Sequence, residues 1–173
     1  YLGVTSLAAT SVAAGDYFYF AQRIEGFNTA DFAWGTASAQ AITLSFWVRS
    51  SLTGTFGGAL SNNANTRSYP FTYTISTANT WEFKTITIPG DTTGTWLTTN
   101  GIGVEVIFGL GLGSTFSGTA GAWAAANYLS ATGATSVVGT SGATFYITGV
   151  QLEKGSTATD FEYRPYGTEL ALC

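Results

Sequence analysis

The sequence predicts an all-β fold, an antiparallel β-sandwich. Thr, Gly and aromatic residues are abundant while charged residues make up only 9% of the chain, and these are the preferences of strands and turns. Short segments that alternate apolar and polar residues recur along the chain, separated by turn residues. At 173 residues, the chain is long enough to bury a core without help from a disulfide or a metal.

Seven strands are predicted from this alternation. The clearest is 41–50, in which every second residue from Ile42 to Val48 is apolar. The aromatic run 16–24 is expected to be a buried strand. Pro70 places 67–76 at a sheet edge or a bulge, because proline cannot donate a hydrogen bond to its neighbour. The predicted strands are, in chain order, 16–24, 41–50, 54–61, 67–76, 80–88, 101–109 and 143–153.

Two regions lack this pattern. Residues 110–142 are rich in Gly, Ser, Ala and Thr and are predicted to be a long loop, with one strand around 122–129 or, as an alternative, one or two helical turns there. Residues 154–173 are predicted to form an extended tail, because aromatic and charged residues alternate from Asp160 onward. We therefore expect a β-sandwich domain at 1–153 and a tail at 154–173 that packs on the domain or on a neighbouring subunit.

The charges exclude some partners. The net charge is −4 and the six Lys and Arg residues are scattered, whereas nucleic-acid binding needs a cluster of cations. No apolar run reaches the roughly 18 residues that a membrane helix needs, so we expect neither nucleic-acid binding nor membrane insertion. Cys173 is the only cysteine, which leaves no internal disulfide.

Catalysis is not expected, because the chain has no histidine and therefore no Ser-His-Asp or Cys-His arrangement. A carboxylate pair of the glycosidase kind stays an alternative, although Glu82 and Glu105 read as solvated charges on strand faces. No metal site and no cofactor are predicted: zinc lacks its usual ligands. A calcium ion bound by oxygen atoms stays open, with Asp16, Asp31, Asp91 and Asp160 as candidate ligands.

A glycan-binding site is predicted at one end of the sandwich. If successive strands alternate in direction, loops 25–40, 62–66 and 89–100 meet there, and 110–142 lies at the opposite end. Aromatic faces stack on the apolar side of a sugar ring while polar side chains bind its hydroxyls, and packing in the core is the alternative role for each Trp. The second choice is the polar face of strand 41–50, at Trp47 and Arg49. The predicted site residues at the loop end are Trp34, Trp96, Asp31, Asn62, Asn63, Asn65, Arg67, Asp91 and Asn100.

The C-terminal stretch "ATFYITGVQLEKGSTATDFEYRPYGTELALC" resembles the C-terminal region of tailed-phage tail-fibre and receptor-binding proteins. The blocks "AQRIEGFNTADFAWGTASAQAITLSFWVRSS", "TWEFKTITIPGDTTGTW" and "GAWAAANYL" resemble the same family. The resemblance implies a jelly-roll sandwich, similar to carbohydrate-binding modules, at the tip of a homotrimeric fibre of the virion.

From this resemblance we expect a domain that is assembled in the host cytoplasm and that adsorbs to a bacterial surface polysaccharide, either capsule or lipopolysaccharide, without catalysis. Two alternatives stay open. One is a structural cap that trimerises the fibre, and the other is a glycan-degrading depolymerase.

Overall fold

The computed structural model describes residues 1–172, and Cys173 lies outside the described residues. Two four-stranded antiparallel sheets pack face to face. The front sheet has the order β1, β10, β3, β6, formed by Leu2–Thr5, Thr144–Lys154, Ile42–Ser50 and Glu82–Ile88. The back sheet has the order β2, β7, β4, β5, formed by Tyr17–Glu25, Ile102–Leu112, Gly54–Ser61 and Ser68–Ile75.

The remaining elements are short. Strands β8 (Ser117–Gly118) and β9 (Ser130–Ala131) pair in parallel. Helix α1 spans Tyr166–Leu172. Single 3₁₀ turns form at Gly26–Asn28, Ala30–Phe32 and Ser114–Phe116.

The core lies between the inner faces of the two sheets. On β3 the alternating residues from Ile42 to Val48 are fully buried, as their spacing predicted. Phe46 lies edge-on to Tyr73 and to Phe108 of the back sheet, with ring centroids 5.0 Å apart in both pairs. The all-β antiparallel sandwich is therefore confirmed, while the jelly-roll subdivision of this class stays a prediction.

The strand predictions hold better for position than for burial. Each of the seven predicted segments overlaps an observed strand, and the described residues also form β1, β8 and β9, which were not predicted. The prediction that 16–24 is buried was wrong. Its strand, β2, is the edge of the back sheet and pairs only with β7, so side chains such as Tyr17 and Phe18 remain exposed. Pro70 lies on β5, the opposite edge of that sheet, as its missing donor requires.

Residues 113–142 cover the outer face of the back sheet. Thr135 donates from its backbone to Thr55 O at 2.7 Å, and a Cβ atom at Gly57 would collide with Ser130 Oγ. Small residues on the sheet thus permit this close approach. The predicted strand at 122–129 was wrong, as was its helical alternative, since only an isolated bridge from Ala124 to Ser68 forms there.

The tail follows β10 without a break. Residues 155–165 run without helix or strand, and α1 then forms, so the prediction of a wholly extended tail was wrong at its last turns. Pro165 explains the change, because its fixed φ favours the start of a helix, and Thr168 N donates to Pro165 O at 2.9 Å.

Candidate functional site

The three loops of the predicted site do meet at one end of the sandwich. Gly26 N donates to Gly101 O at 2.8 Å and Gly35 N donates to Asp91 O at 2.7 Å. Asn62 Nδ2 donates to Thr95 O at 3.0 Å. The alternating strand directions assumed from the sequence therefore bring loops 25–40, 62–66 and 89–100 together.

Trp34 does not offer a face to a ligand at this end. It is only 7% exposed, and its ring centroid lies 4.7 Å from that of Trp96 and 5.1 Å from that of Trp123. Its Nε1 donates to Gln40 O at 2.8 Å. The use of Trp34 as an exposed sugar platform is thus wrong, and its role is packing. Trp123 comes from the segment expected at the opposite end, and that expectation was wrong for this part of 110–142.

Arg67 and Asp91 form a buried ion pair under the loops. Arg67 Nε and Nη2 donate to the Asp91 carboxylate at 2.8 and 2.6 Å, and Asp91 is 2% exposed. Burial alone would raise the pKa of Asp91, but hydrogen bonds from Arg67 and Thr93 outweigh it and hold that pKa below its usual value. The Asp91 hydrogen bonds raise the pKa of Arg67. These two side chains are therefore occupied with each other.

The other residues predicted at the loop end fall into two groups. Asn62 is buried and accepts hydrogen bonds from the backbone of Thr66 and Arg67 at 2.9 and 3.0 Å. Asp31 is exposed and pairs with Lys154 at 2.7 Å. Trp96 is half-buried, and its Nε1 donates to Asp91. The exposed amides, which remain free to meet a ligand, are those of Asn63, Asn65 and Asn100.

The outer face of the front sheet carries two exposed aromatic rings side by side. Trp47 on β3 is 44% exposed and Phe83 on β6 is 46% exposed. The strand register places the two residues directly opposite each other, and their ring centroids are 5.4 Å apart. Together they form a continuous apolar surface in solvent, at the position of the second-choice site around Trp47.

The tail turns this surface into a groove of about 300 Å³. Thr43 Oγ1 donates to Gly155 O at 2.8 Å, and Thr159 N donates to the Glu153 carboxylate at 3.0 Å. These bonds hold residues 155–161 along the sheet. The groove is lined by the aromatic rings of Trp47, Phe83 and Phe161 and by the polar groups of Ser45, Thr159 and Asp160.

A bulge in β10 contributes Gly149 to the lining of the groove, next to Trp47. The register between β10 and β3 shifts between Thr148 and Gln151, and Gly149 there has a φ of 57°, which favours glycine. A Cβ atom at Gly149 would lie 3.4 Å from Trp47 Cδ1, an ordinary van der Waals contact, so glycine is favoured here by its backbone conformation.

Arg49 lies beside this groove, one same-face position along β3 from Trp47. Its guanidinium carbon is 5.6 Å from the centroid of the Tyr146 ring. Tyr146 contacts Tyr1 edge-on at 5.5 Å, and Tyr1 contacts Trp81 at 6.2 Å. We call the exposed surface made by the groove, Arg49 and Tyr146 the aromatic face.

Sequence reasoning missed Phe83, Tyr146 and Phe161. The sequence did contain a signal that Phe83 is exposed. Strand alternation places it on the same side of strand 80–88 as the polar residues Thr85 and Thr87. The position of Phe161 carried no such signal, because it depends on how the tail returns across the sheet.

No protein-family model matches the chain. Searches of the curated proteins and of the solved structures find no match either. The class of protein is therefore defined by the fold and the surface together: an all-β sandwich with one exposed aromatic sheet face.

Within residues 1–172, no helix has the length and apolar character required to cross a bilayer. Among these same residues, no three His, Cys, Asp or Glu side chains come together as a metal-binding group would.

Proposed function

We propose that the protein is a glycan-binding domain that acts without catalysis, and that the aromatic face is its binding site. The observation that carries this proposal is the groove floored by Trp47 and Phe83, two adjacent aromatic rings left in solvent by a chain with ample apolar core. Sugar rings have one apolar side that stacks on such surfaces, while Ser45, Thr159 and Asp160 supply partners for hydroxyls.

The biological setting of the proposal is the tip of a phage tail fibre. Its support is the sequence resemblance of the C-terminal region and the upstream blocks. In this setting the domain is assembled in the host cytoplasm, becomes part of the virion, and adsorbs to bacterial capsule or lipopolysaccharide.

The states of the carboxylates support binding without hydrolysis. A glycosidase acid needs a raised pKa so that it holds a proton. The pKa of Glu153, which contacts Thr159 of the groove lining, is lowered by the hydrogen bond from Thr159. The pKa of Glu82 is lowered by the hydrogen bond from Lys84. These groups are suited to stay ionised rather than to donate a proton to a leaving group.

A second candidate function, a fibre cap that trimerises the chain, is favoured by the tail. The tail carries four exposed apolar side chains, the first of which also lines the groove, and such a concentration is typical of an interface. We propose that these side chains meet a second copy of the chain within a homotrimer, which is compatible with glycan binding on the aromatic face. They are Phe161, Tyr163, Tyr166 and Leu170.

Adsorption of the purified domain to host cells and to their extracted polysaccharide tests the proposal. Trp47→Ala should weaken binding about 10–100-fold, because an apolar contact of about 1.5–3 kcal/mol is lost. It should leave the melting temperature nearly unchanged, since the ring is exposed. Phe27→Ala is the matched control, because Phe27 is an exposed ring at the loop end.

Three results would count against the proposal. Equal binding by Trp47→Ala and the parent would move the site off the aromatic face. Loss of binding in Phe27→Ala alone would return it to the loop end. Release of reducing ends from the polysaccharide would show a depolymerase.

A further inference from the structure

Arg49 differs from the other cations of the chain. The sequence has six Lys and Arg residues, and five of them have an acidic partner within the described residues. Those five pairs are Arg23–Glu105, Arg67–Asp91, Lys84–Glu82, Lys154–Asp31 and Arg164–Glu162. The Arg49 side chain has no ion pair or hydrogen bond with any residue of the described chain, and its Nε is buried without a partner.

A buried donor on a charged group that lacks a partner is rare, because the lost hydration is not replaced. The aromatic contact with Tyr146 compensates only part of this, since a cation over a ring satisfies none of the N–H groups. The guanidinium therefore retains unused hydrogen-bonding capacity at a partly exposed position.

The geometry fits a ligand anion. Arginine uses its planar face for stacking and its in-plane N–H groups for hydrogen bonds. Of the three guanidinium nitrogens of Arg49, Nε alone is buried without a partner, so the edge formed by Nη1 and Nη2 is the one that a ligand can reach. That edge matches the two oxygens of a carboxylate. Arg49 and Trp47 project from the same side of β3 two residues apart, about 7 Å by the rise of a strand, which places the cation next to the surface where a sugar would stack.

We infer that the aromatic face recognises an acidic glycan, in which a carboxylate-bearing sugar, a uronic or nonulosonic acid, binds to Arg49 while Trp47 and Phe83 stack on the sugar rings. This inference rests on the proposed function and adds the class of sugar. Asp160 at the other side of the groove repels a second carboxylate, so the acid group is confined to the Arg49 side.

The test measures affinities for hyaluronan and polysialic acid, for the same two polymers after chemical reduction of their carboxyl groups, and for neutral dextran and mannan. The parent protein should bind at least one acidic polymer, and carboxyl reduction should weaken that binding about 10–100-fold, the range expected for hydrogen bonds to a charged group. Arg49→Gln should lose the same factor. Arg49→Lys should bind at an intermediate strength, because lysine keeps the positive charge but lacks the paired N–H groups of the guanidinium.

Arg23→Gln is the matched control, because Arg23 is an exposed arginine on the back sheet, and its affinity should not change. Melting curves check that each variant folds. If Arg49→Gln does not fold, the carboxyl-reduced polymers still decide the question on the unaltered protein.

The outcomes separate the two proposals. Trp47-dependent binding of neutral glycans with no binding of either acidic polymer would overturn the role of Arg49 and leave the proposed function standing. Equal binding of native and carboxyl-reduced polymers would do the same. No binding to any of the polymers or to host polysaccharide would overturn both.

Discussion

The Arg67–Asp91 pair under the loops provides the sharpest test of the fold. We predict that Asp91→Ala destabilises the protein strongly while leaving the aromatic face intact. Asp91 is 2% exposed, and its carboxylate accepts five hydrogen bonds. Two come from the Arg67 guanidinium, two from Thr93 N and Oγ1, and one from Trp96 Nε1. Removing the carboxylate leaves the Arg67 side chain, itself only 15% exposed, without a counter-ion.

Breaking a buried pair by deleting one partner costs about 3–5 kcal/mol, mainly because an uncompensated charge stays buried. For a chain of this size, 1 kcal/mol shifts the melting temperature by about 2–4 °C. Asp91→Ala should therefore melt about 6–20 °C below the parent. Replacing both partners together, as Arg67→Met with Asp91→Leu, should recover most of this loss, because apolar pairs of similar volume are often neutral substitutes.

Urea titrations at pH 7 and at acidic pH measure this effect. The folded-state pKa of Asp91 lies below its unfolded value, so its contribution is present above the unfolded pKa of about 3.9 and is lost as the pH falls below it. The gap in unfolding free energy between parent and Asp91→Ala should thus narrow at low pH. A loss below about 1 kcal/mol at pH 7, or a double variant no more stable than Asp91→Ala, would refute the buried-pair reasoning.

Two further predictions concern packing and assembly. Trp34→Ala should cost about 3–5 kcal/mol, the usual penalty for removing a buried Trp, with a lower melting temperature; an unchanged melting curve would show that the ring is not core. Truncation before Asp160 should reduce the particle mass measured by light scattering from three chains to one, since it removes Phe161, Tyr163 and Tyr166. An unaltered mass would show that the tail makes no contact between copies, and a monomeric parent would end the trimer proposal.

The strands could be predicted because alternation is a local signal. On β3, the alternating residues Ile42, Leu44, Phe46 and Val48 were assigned to the core from spacing alone, and all four are fully buried. The burial of 16–24 could not be predicted in this way. Whether a strand lies at a sheet edge depends on which distant strands pair with it, and β2 pairs with β7, more than 80 residues later.

The predictions of site residues show the same difference between local and long-range information. Trp47 was correctly placed on the polar side of its strand, because strand parity decides which way it points. Trp34 and Trp47 could not be ranked from sequence, since the burial of Trp34 depends on Trp96 and Trp123 arriving from two distant segments. The lack of an acidic partner for Arg49 could not be predicted either, because the ion pairs of the other cations form between residues that are mostly distant in sequence.

The order of strands in the front sheet has a mechanical consequence. Trp47 and Arg49 lie on β3, and the tail continues from β10, its direct neighbour. A force between a glycan held at the aromatic face and an attachment made through the tail therefore crosses a single antiparallel ladder, which runs from Phe145–Ser50 to Lys154–Ile42. The hydrogen bonds of that ladder lie perpendicular to the strands, so a pull along β10 loads them together in shear instead of opening them one at a time. With the glycan site proposed on β3, a pull along the strands between that site and β10 is therefore resisted by the whole ladder at once.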